Sequence, residues 1–435
     1  MKLMNRWAVI SLTLMTTIVT GCNLNDNLNE QETPDYPGAF NLTRAEQGMV
    51  NNSNEFAFNL FKQIIDSRSA DESKKNESII VSPISITYAL GMLNNGAAGD
   101  TQDQINKVLG FGNTGVDGIN DFCSKMLKSA PALDPLTKVM IANNIYVNKN
   151  YVLKPEFIQA ANTYYNAYPE TRDFHDGKTM DVINKWASDN TEKMIEKVLD
   201  DSSFDPDAVS YLLNAIYFKG EWTKKFDKHY TVDEDFWDSG NSTPTTTRPM
   251  MHMTTELEYA EIDGYQVLRL PYGNGSFQMT ILLPDASNIS YNDDAILDPF
   301  FNIPLPSATT WSEINKKMSS SLVDLKLPRF ETSTDIDLPQ IMSDLGMPDA
   351  FNPNKADFSK FCNTSTYIGL MKQVARIKLD EEGTEAAAVT VIGMKNTIVS
   401  EEPKMVYFYA NHPFIYIISE KSSNAIFFIG QYTGY

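Results

Sequence analysis

Residues 381–390 read Glu381-Glu382-Gly383-Thr384-Glu385-Ala386-Ala387-Ala388-Val389-Thr390, and the way this run is read decides the fold. By intrinsic propensity its alanines and glutamates ask for a surface helix. Gly383 interrupts that helix near its start, and the residues beyond Ala388 turn β-branched as far as Ile392. β-Branched side chains lose freedom in a helix and suit a pleated strand. A polar stretch from Lys395 to Lys404 then separates the segment from a strand-like C-terminus.

Upstream, Asn54 to Ile65 carries apolar residues at 56, 60, 61, 64 and 65, the spacing of an amphipathic helix. Ser78 to Val81 reads as a short buried strand. Ser82-Pro83 supplies an N-cap and a first-turn proline for a helix through Leu93, whose Ala89 and Gly91 permit a close neighbour. Thr101 with Gln104 fits a capping box for the next helix, which Gly110 ends. Long apolar strands follow at 139–147 and 210–218. Shorter ones are expected at 257–262, 266–270, 276–283, 322–327, 371–379, 405–409, 414–418 and 425–429. Helices at 154–167, 181–199 and 337–345 interrupt them. Helices dominate the first half and strands the second, without a βαβ rhythm. That is an α+β fold with a mixed or mainly antiparallel sheet.

With 42% apolar residues and 11% aromatic, the 435-residue chain can bury a sizeable core. A net charge of −20 opposes nucleic-acid binding, which needs Lys and Arg to neutralise phosphates. The four histidines, at 175, 229, 252 and 412, form no HExxH pair, and no nucleophile elbow or Walker loop is present. Gly110, Gly112 and Gly115 spell GxGxxG, but the motif follows a helix instead of a strand, which removes its nucleotide reading. The acidic pairs at 200–201 and 233–235 read as solvated loop charges. No metal or cofactor site is expected, and neither is catalysis.

Three cysteines occur, Cys22, Cys123 and Cys362, with no CxxC among them. Lys2 and Arg6 precede an apolar stretch from Trp7 to Val19 that is too short to span a bilayer comfortably. Val19-Thr20-Gly21-Cys22 then resembles a bacterial lipobox, in which the cysteine is acylated and becomes the mature N-terminus. Residues 1–21 are therefore expected to be a lipoprotein signal peptide, and 22–52, rich in Asn, Asp, Glu and Gln, a flexible tether. The folded domain is expected over 53–435. The remaining thiols, Cys123 and Cys362, are expected buried and single.

The run at 381–390 resembles the hinge and exposed reactive loop of inhibitory serpins. Asn76 to Ser85, continuing to Gly96-Ala97-Ala98-Gly99-Asp100-Thr101, is similar to the family's N-terminal signature. Asn214-Ala215-Ile216-Tyr217-Phe218-Lys219-Gly220-Glu221-Trp222, with Phe226, Thr231 and Phe236, resembles a second. Pro249-Met250-Met251, Leu270-Pro271-Tyr272, Leu283-Pro284, Leu327-Pro328-Arg329-Phe330, Leu345-Gly346-Met347 and Asp357-Phe358-Ser359 follow in the family's order. Asn411-His412-Pro413-Phe414 and Phe428-Ile429-Gly430 close the chain in the same way. One position departs: ten residues before the hinge glycine the family usually has histidine, and here stands Gln373. Glutamine donates and accepts, which leaves open to it a bond to Ser82, Ser85 and Asn214.

The resemblance implies one domain of three mixed or antiparallel sheets with eight or nine helices and an exposed reactive-centre loop. It implies a monomeric, suicide-substrate inhibitor of serine proteases, with cysteine proteases as a further target class, and no enzyme. The protease attacks the loop and forms an acyl-enzyme; the freed hinge then enters the main sheet as a new strand. Thr384 to Ile392 holds neither Pro nor Gly, and Thr384, Ala386, Ala388 and Thr390 are small enough to turn inward. The hinge is Glu381 to Ala388; Ser82, Ser85, Asn214, Trp222 and Gln373 support sheet opening. Counting the inserted strand's length from Thr384 reaches Thr397 and the Thr397–Ile398 bond, which favours elastase-like enzymes. Lys395 is the rival for trypsin-like enzymes and Met394 for chymotrypsin- or subtilisin-like ones. A non-inhibitory serpin, acting as a carrier or chaperone-like binder, is the alternative. The lipobox places the protein outside the cytoplasm, anchored by lipid in a bacterial envelope, at the outer membrane or cell surface.

Overall fold

The computed structural model describes residues 38–71, 73–237, 246–285, 305–384 and 405–434. Among them eight α-helices occur: α1 (Arg44–Ser69), α2 (Pro83–Asn94), α3 (Gly99–Val108), α4 (Gly115–Ser129), α5 (Pro155–Tyr165), α6 (Thr179–Asn190), α7 (Ala308–Lys317) and α8 (Pro339–Leu345). The first strands are β1 (Ile79–Val81), β2 (Thr137–Asn148), β3 (Glu170–Arg172), β4 (Ser210–Glu221), β5 (Val232–Phe236), β6 (Thr246–Ile262), β7 (Tyr265–Tyr272) and β8 (Phe277–Pro284). The rest are β9 (Ser319–Pro328), β10 (Phe330–Asp337), β11 (Leu370–Asp380), β12 (Gly383–Thr384), β13 (Met405–Tyr409), β14 (Phe414–Glu420) and β15 (Ile426–Tyr432).

Six strands form one sheet in the order β10-β11-β12-β4-β2-β3. The other sheet runs β1-β15-β14-β8-β7-β6-β9-β13, with β5 also paired to β6. Three sheets were the expectation, and the architecture is as expected, but hydrogen bonding joins two of them. The reason is β6, 17 residues long, which pairs with β5 and β9 along most of its length and with β7 at its end. β8, β14 and β15 are buried at every position, as strands covered on both faces must be. Every residue of α2 is buried as well.

Several local expectations fail for identifiable reasons. The tether does not extend to residue 52. A capping box between Thr43 and Glu46 starts α1 at Arg44, and Met49 and Val50 are buried on its inner face. Ser82 occupies the N-cap of α2, yet its hydroxyl donates to the Phe427 carbonyl at 2.8 Å and caps nothing. Thr101 and Gln104 form no capping box, because α3 begins at Gly99. Their side chains instead hold Asp357 N–H (2.9 Å) and Asp349 (2.8 Å).

The helix expected over 181–199 ends at Asn190, and Glu192 and Lys193 both adopt left-handed backbone (φ 49° and 68°). Residues 194–199 then fold back along the sheet. Asn184 ties them down through the Val198 and Leu199 amides at 2.8 and 2.9 Å. Ile195, Val198 and Leu199 thereby pack with Ile183 and Ala187 on Tyr211, Leu213 and Val374 of the six-stranded sheet. Cys123 and Cys362 are buried and unpaired, and burial pushes the Cys123 thiol up to about 12.

Candidate functional site

In the middle of the six-stranded sheet two strands part company. β4 and β11 run parallel and paired from Tyr211/Leu370 to Ala215/Val374. Beyond that rung β12 enters between them, antiparallel to both: Thr384 lies opposite Leu379 and Gly220, and Gly383 opposite Asp380 and Glu221. Ile216–Lys219 and Ala375–Lys378 face each other across the interval with no rung recorded between them. Among the described residues two of the hinge thus lie in the sheet, above a stretch of four residues on each strand where β4 and β11 do not pair with each other.

The seat of those two residues is specific. Gly383 holds φ 148°, and a Cβ there would stand 2.1 Å from the Gly220 carbonyl oxygen. The Thr384 side chain points inward, 1% exposed, with its Oγ1 2.8 Å from the buried Tyr272 hydroxyl. Trp222 lies flat against Tyr272 (centroids 4.5 Å, planes 11° apart) and donates its indole N–H to the Asp380 carbonyl at 3.0 Å. The backbone N–H groups of Trp222 and Phe226 donate to the carbonyls of Glu382 and Glu381 at 2.8 and 3.0 Å.

Glu381 is 2% exposed, accepts from the Thr231 hydroxyl at 2.7 Å and pairs with Arg329. Burial pushes its carboxyl up, but the Arg329 and Thr231 bonds outweigh that and hold it below the usual range. Lys225 and Lys228, at 3.0 and 3.1 Å, hold Glu382 low in the same direction.

Below the parted stretch the paired part of β4 and β11 is locked by a buried amide. Gln373 Oε1 accepts from the Ser82 backbone N–H at 2.9 Å. Its Nε2 lies 3.0 Å from the Ser82 carbonyl, 2.8 Å from Ser85 Oγ and 3.0 Å from Asn214 Oδ1. Ser85 Oγ donates to Asn214 Oδ1 at 2.7 Å, and Asn214 Nδ2 to Asn143 Oδ1 at 2.7 Å. The glutamine thus makes across the sheet the bond its chemistry left open.

A second tie crosses the outer face. Glu192 takes Lys138 of β2 at 2.7 Å and the Tyr217 hydroxyl of β4 at 3.3 Å, while Arg376 of β11 donates to the Met194 carbonyl at 3.1 Å. One left-handed turn therefore straps three strands, two of which border the parted stretch.

Of the site residues expected from sequence, Glu381, Glu382, Gly383, Thr384, Trp222, Ser82, Ser85, Asn214 and Gln373 converge here. Glu385, Ala386, Ala387, Ala388, Met394, Lys395, Thr397, Ile398 and Cys22 lie outside the described residues. Tyr272, Thr231 and Arg329, which sequence marks only as motif members, each contact the hinge. The Glu192 turn went unforeseen because its stretch reads as helix. Among the described residues no group of three His, Cys, Asp or Glu side chains is placed to hold a metal ion.

The family described as Serpin (serine protease inhibitor) matches residues 51–434. The chain belongs to the serpin family. It is 31% identical to human serpin B3 over 402 residues, covering 87% of this chain and 97% of that one. It is 30% identical to the leukocyte elastase inhibitor of Xenopus laevis, with the same coverage of both. Human thyroxine-binding globulin, solved in complex with thyroxine, superposes with a TM-score of 0.77 at 24% identity, over 90% of this chain and 99% of that one. The fold is the serpin fold, and serpins as a family are mostly protease inhibitors, not enzymes, although some members do not inhibit.

Proposed function

We propose that this serpin is a suicide-substrate inhibitor of serine proteases that inserts its cut loop between β4 and β11. The observation that carries the reading is β12, a strand of two residues already seated between both partners. Its register, continued downward, would set Ala386 between Ile377 and Phe218, and Ala388 between Ala375 and Ile216. All four neighbours are buried, so small side chains suit the space. On the outer face Glu385 would fall between Lys378 and Lys219, a favourable cross-strand arrangement of charge. Thr390 would reach the rung of Gln373 and Asn214, and the amide lock would have to open. The uncut fold is then a kinetic trap.

The reactive bond is Thr397–Ile398, with Met394 and Lys395 as the sites for subtilisin- or trypsin-like enzymes, and an elastase-like protease is the first-choice target. Kinship to an elastase inhibitor supports that order. Cys22 carries the lipid that holds the monomer on a bacterial envelope. Incubation with an elastase should give a covalent band on a denaturing gel and a released peptide starting at Ile398, whereas a subtilisin or a trypsin acting at Met394 or Lys395 should release one starting at Lys395 or Asn396. Thr384→Arg would bury an unpartnered charge, so the loop should still be cut while the covalent band disappears. A wild-type loop that is cut without a covalent band defeats the inhibitory reading in favour of a carrier. Cys22→Ala should move the protein from the membrane to the soluble fraction.

A further inference from the structure

We propose that the outer face of β5, β9 and β13 is a second docking surface for the protease held on the loop. The inference rests on the inhibitory reading above. Among the described residues seven large apolar or aromatic side chains are exposed, and four of them are Tyr230 (62%), Val232 (51%), Met405 (39%) and Tyr407 (58%). Strand register and alternation set Val232, Met405 and Tyr407 on one side of their strands, with Tyr230 next to Val232 in the chain. Val232 and Glu234 point the same way from β5, and Glu234 clasps Lys326 of β9 through both oxygens at 2.8 Å. The Lys326 ammonium stands 5.1 Å over the Tyr409 ring of β13, whose centroid is 5.9 Å from that of Tyr407. Asp324, on the same side of β9, takes the Tyr409 hydroxyl at 2.9 Å.

The position of this face gives it a partner. Met405 begins the strand onto which the chain returns after residues 385–404. At the other end Thr231, between Tyr230 and Val232, bonds Glu381 at the base of the hinge. The exposed residues therefore lie near the described ends of the segment 385–404, at Met405 and at the Thr231–Glu381 bond, and a protease acting on that segment would meet them. Solvent-exposed tyrosines give large rigid contact area with a polar tip, the chemistry of binding hot spots. Lys326, Glu234, Asp324 and His252 are already paired with one another. The face thus offers apolar edges in preference to net charge, and its partner is a protease with an uncharged, partly apolar rim around its active-site cleft.

The test separates docking from chemistry. An elastase and a trypsin whose active-site serine is replaced by alanine are titrated with wild type, Tyr230→Ala/Tyr407→Ala and Val232→Asp. Tyr168→Ala, equally exposed elsewhere, is the control. The double variant should bind at least one of these proteases about tenfold more weakly and be cut by its active form correspondingly more slowly. The Tyr168 variant should match wild type, melting temperatures should stay together, and the covalent share of cut molecules should not change. Affinities within twofold of wild type for both proteases, or an equal loss in the Tyr168 variant, overturn the proposal. A weakened double variant in a protein that forms no covalent complex leaves the surface standing and removes the inhibitory reading. Wild type that binds neither protease at micromolar concentration overturns both.

Discussion

Replacing Gln373 by Leu keeps the volume of the side chain and deletes its hydrogen bonds. Ser82, 0% exposed, then loses the acceptor of its backbone N–H, and an orphaned buried donor costs about 1–3 kcal/mol. The acceptors that faced Nε2 fare better. Ser85 Oγ still donates to Asn214 Oδ1 at 2.7 Å and the Ser82 carbonyl still accepts from the Ile86 backbone N–H at 3.4 Å, so each of the two lost amide N–H bonds costs only about 0.5–1.5 kcal/mol. The sum is about 2–6 kcal/mol against the uncut protein. At about 2 °C per kcal/mol for a large domain, its melting temperature should fall by roughly 4–12 °C. In the cleaved form Thr390 would separate Gln373 from Asn214, so the cross-strand part of the lock is already gone there. The cut protein should therefore lose less melting temperature than the uncut one, and insertion should be faster because part of its barrier has been removed. Thermal melts before and after limited proteolysis at one scan rate read the first effect, and rapid-mixing fluorescence of the trapped complex the second. Equal losses in the cut and uncut forms would refute the reasoning, because the lock would then survive insertion.

Gly383→Ala should raise the number of inhibitor molecules consumed per trapped protease above one, since its Cβ would press on the fixed Gly220 carbonyl and keep β12 from seating; an unchanged titration endpoint argues against the seat. Glu381 has a folded carboxyl below its ordinary 4.5, so its stabilising effect is complete above that pH and is lost as the pH falls below it. The melting temperature of the uncut protein should thus be flat near neutrality and fall below about pH 4.5, and Glu381→Gln should flatten that fall; a parallel profile in the variant removes Glu381 as the cause. Glu192→Ala should leave the melting temperature of this half-exposed site nearly unchanged while shortening the insertion phase, and an unaltered phase would show that the strap does not restrain β4 and β11.

Much of the molecule was legible where periodicity is strong. The apolar runs of β4, β8 and β11 and the alternation of Val323, Leu325 and Leu327 in β9 give strands by side-chain period alone. The hinge was legible too, because Gly383 and the small residues after it contradict their own helical propensity. Its partners were not. Glu381 meets Arg329 and Thr231 from 52 and 150 residues away, and no local pattern records such a meeting. The start of α1 was missed because a polar run hides the Thr43–Glu46 capping box. The end of α6 was missed because two non-glycine residues accept left-handed backbone only when the surrounding tertiary bonds hold them there.

A sheet normally keeps its exposed backbone at its rim, where charge, bulges or short strands blunt it. The parted stretch between Ile216–Lys219 and Ala375–Lys378 moves two such rims to the centre of this molecule, unpaired with each other between the β12 rungs and the Ala215/Val374 rung. Nothing in a backbone ladder distinguishes the chain's own loop from another extended segment with small residues at alternate positions. The same opening that, on the proposed inhibitory reading, would admit the cut loop thus makes the protein receptive to strangers, including the loop of a neighbouring copy. Warmth and crowding, which lengthen and multiply such encounters, are accordingly the conditions under which this protein should be lost to self-association before any protease has touched it.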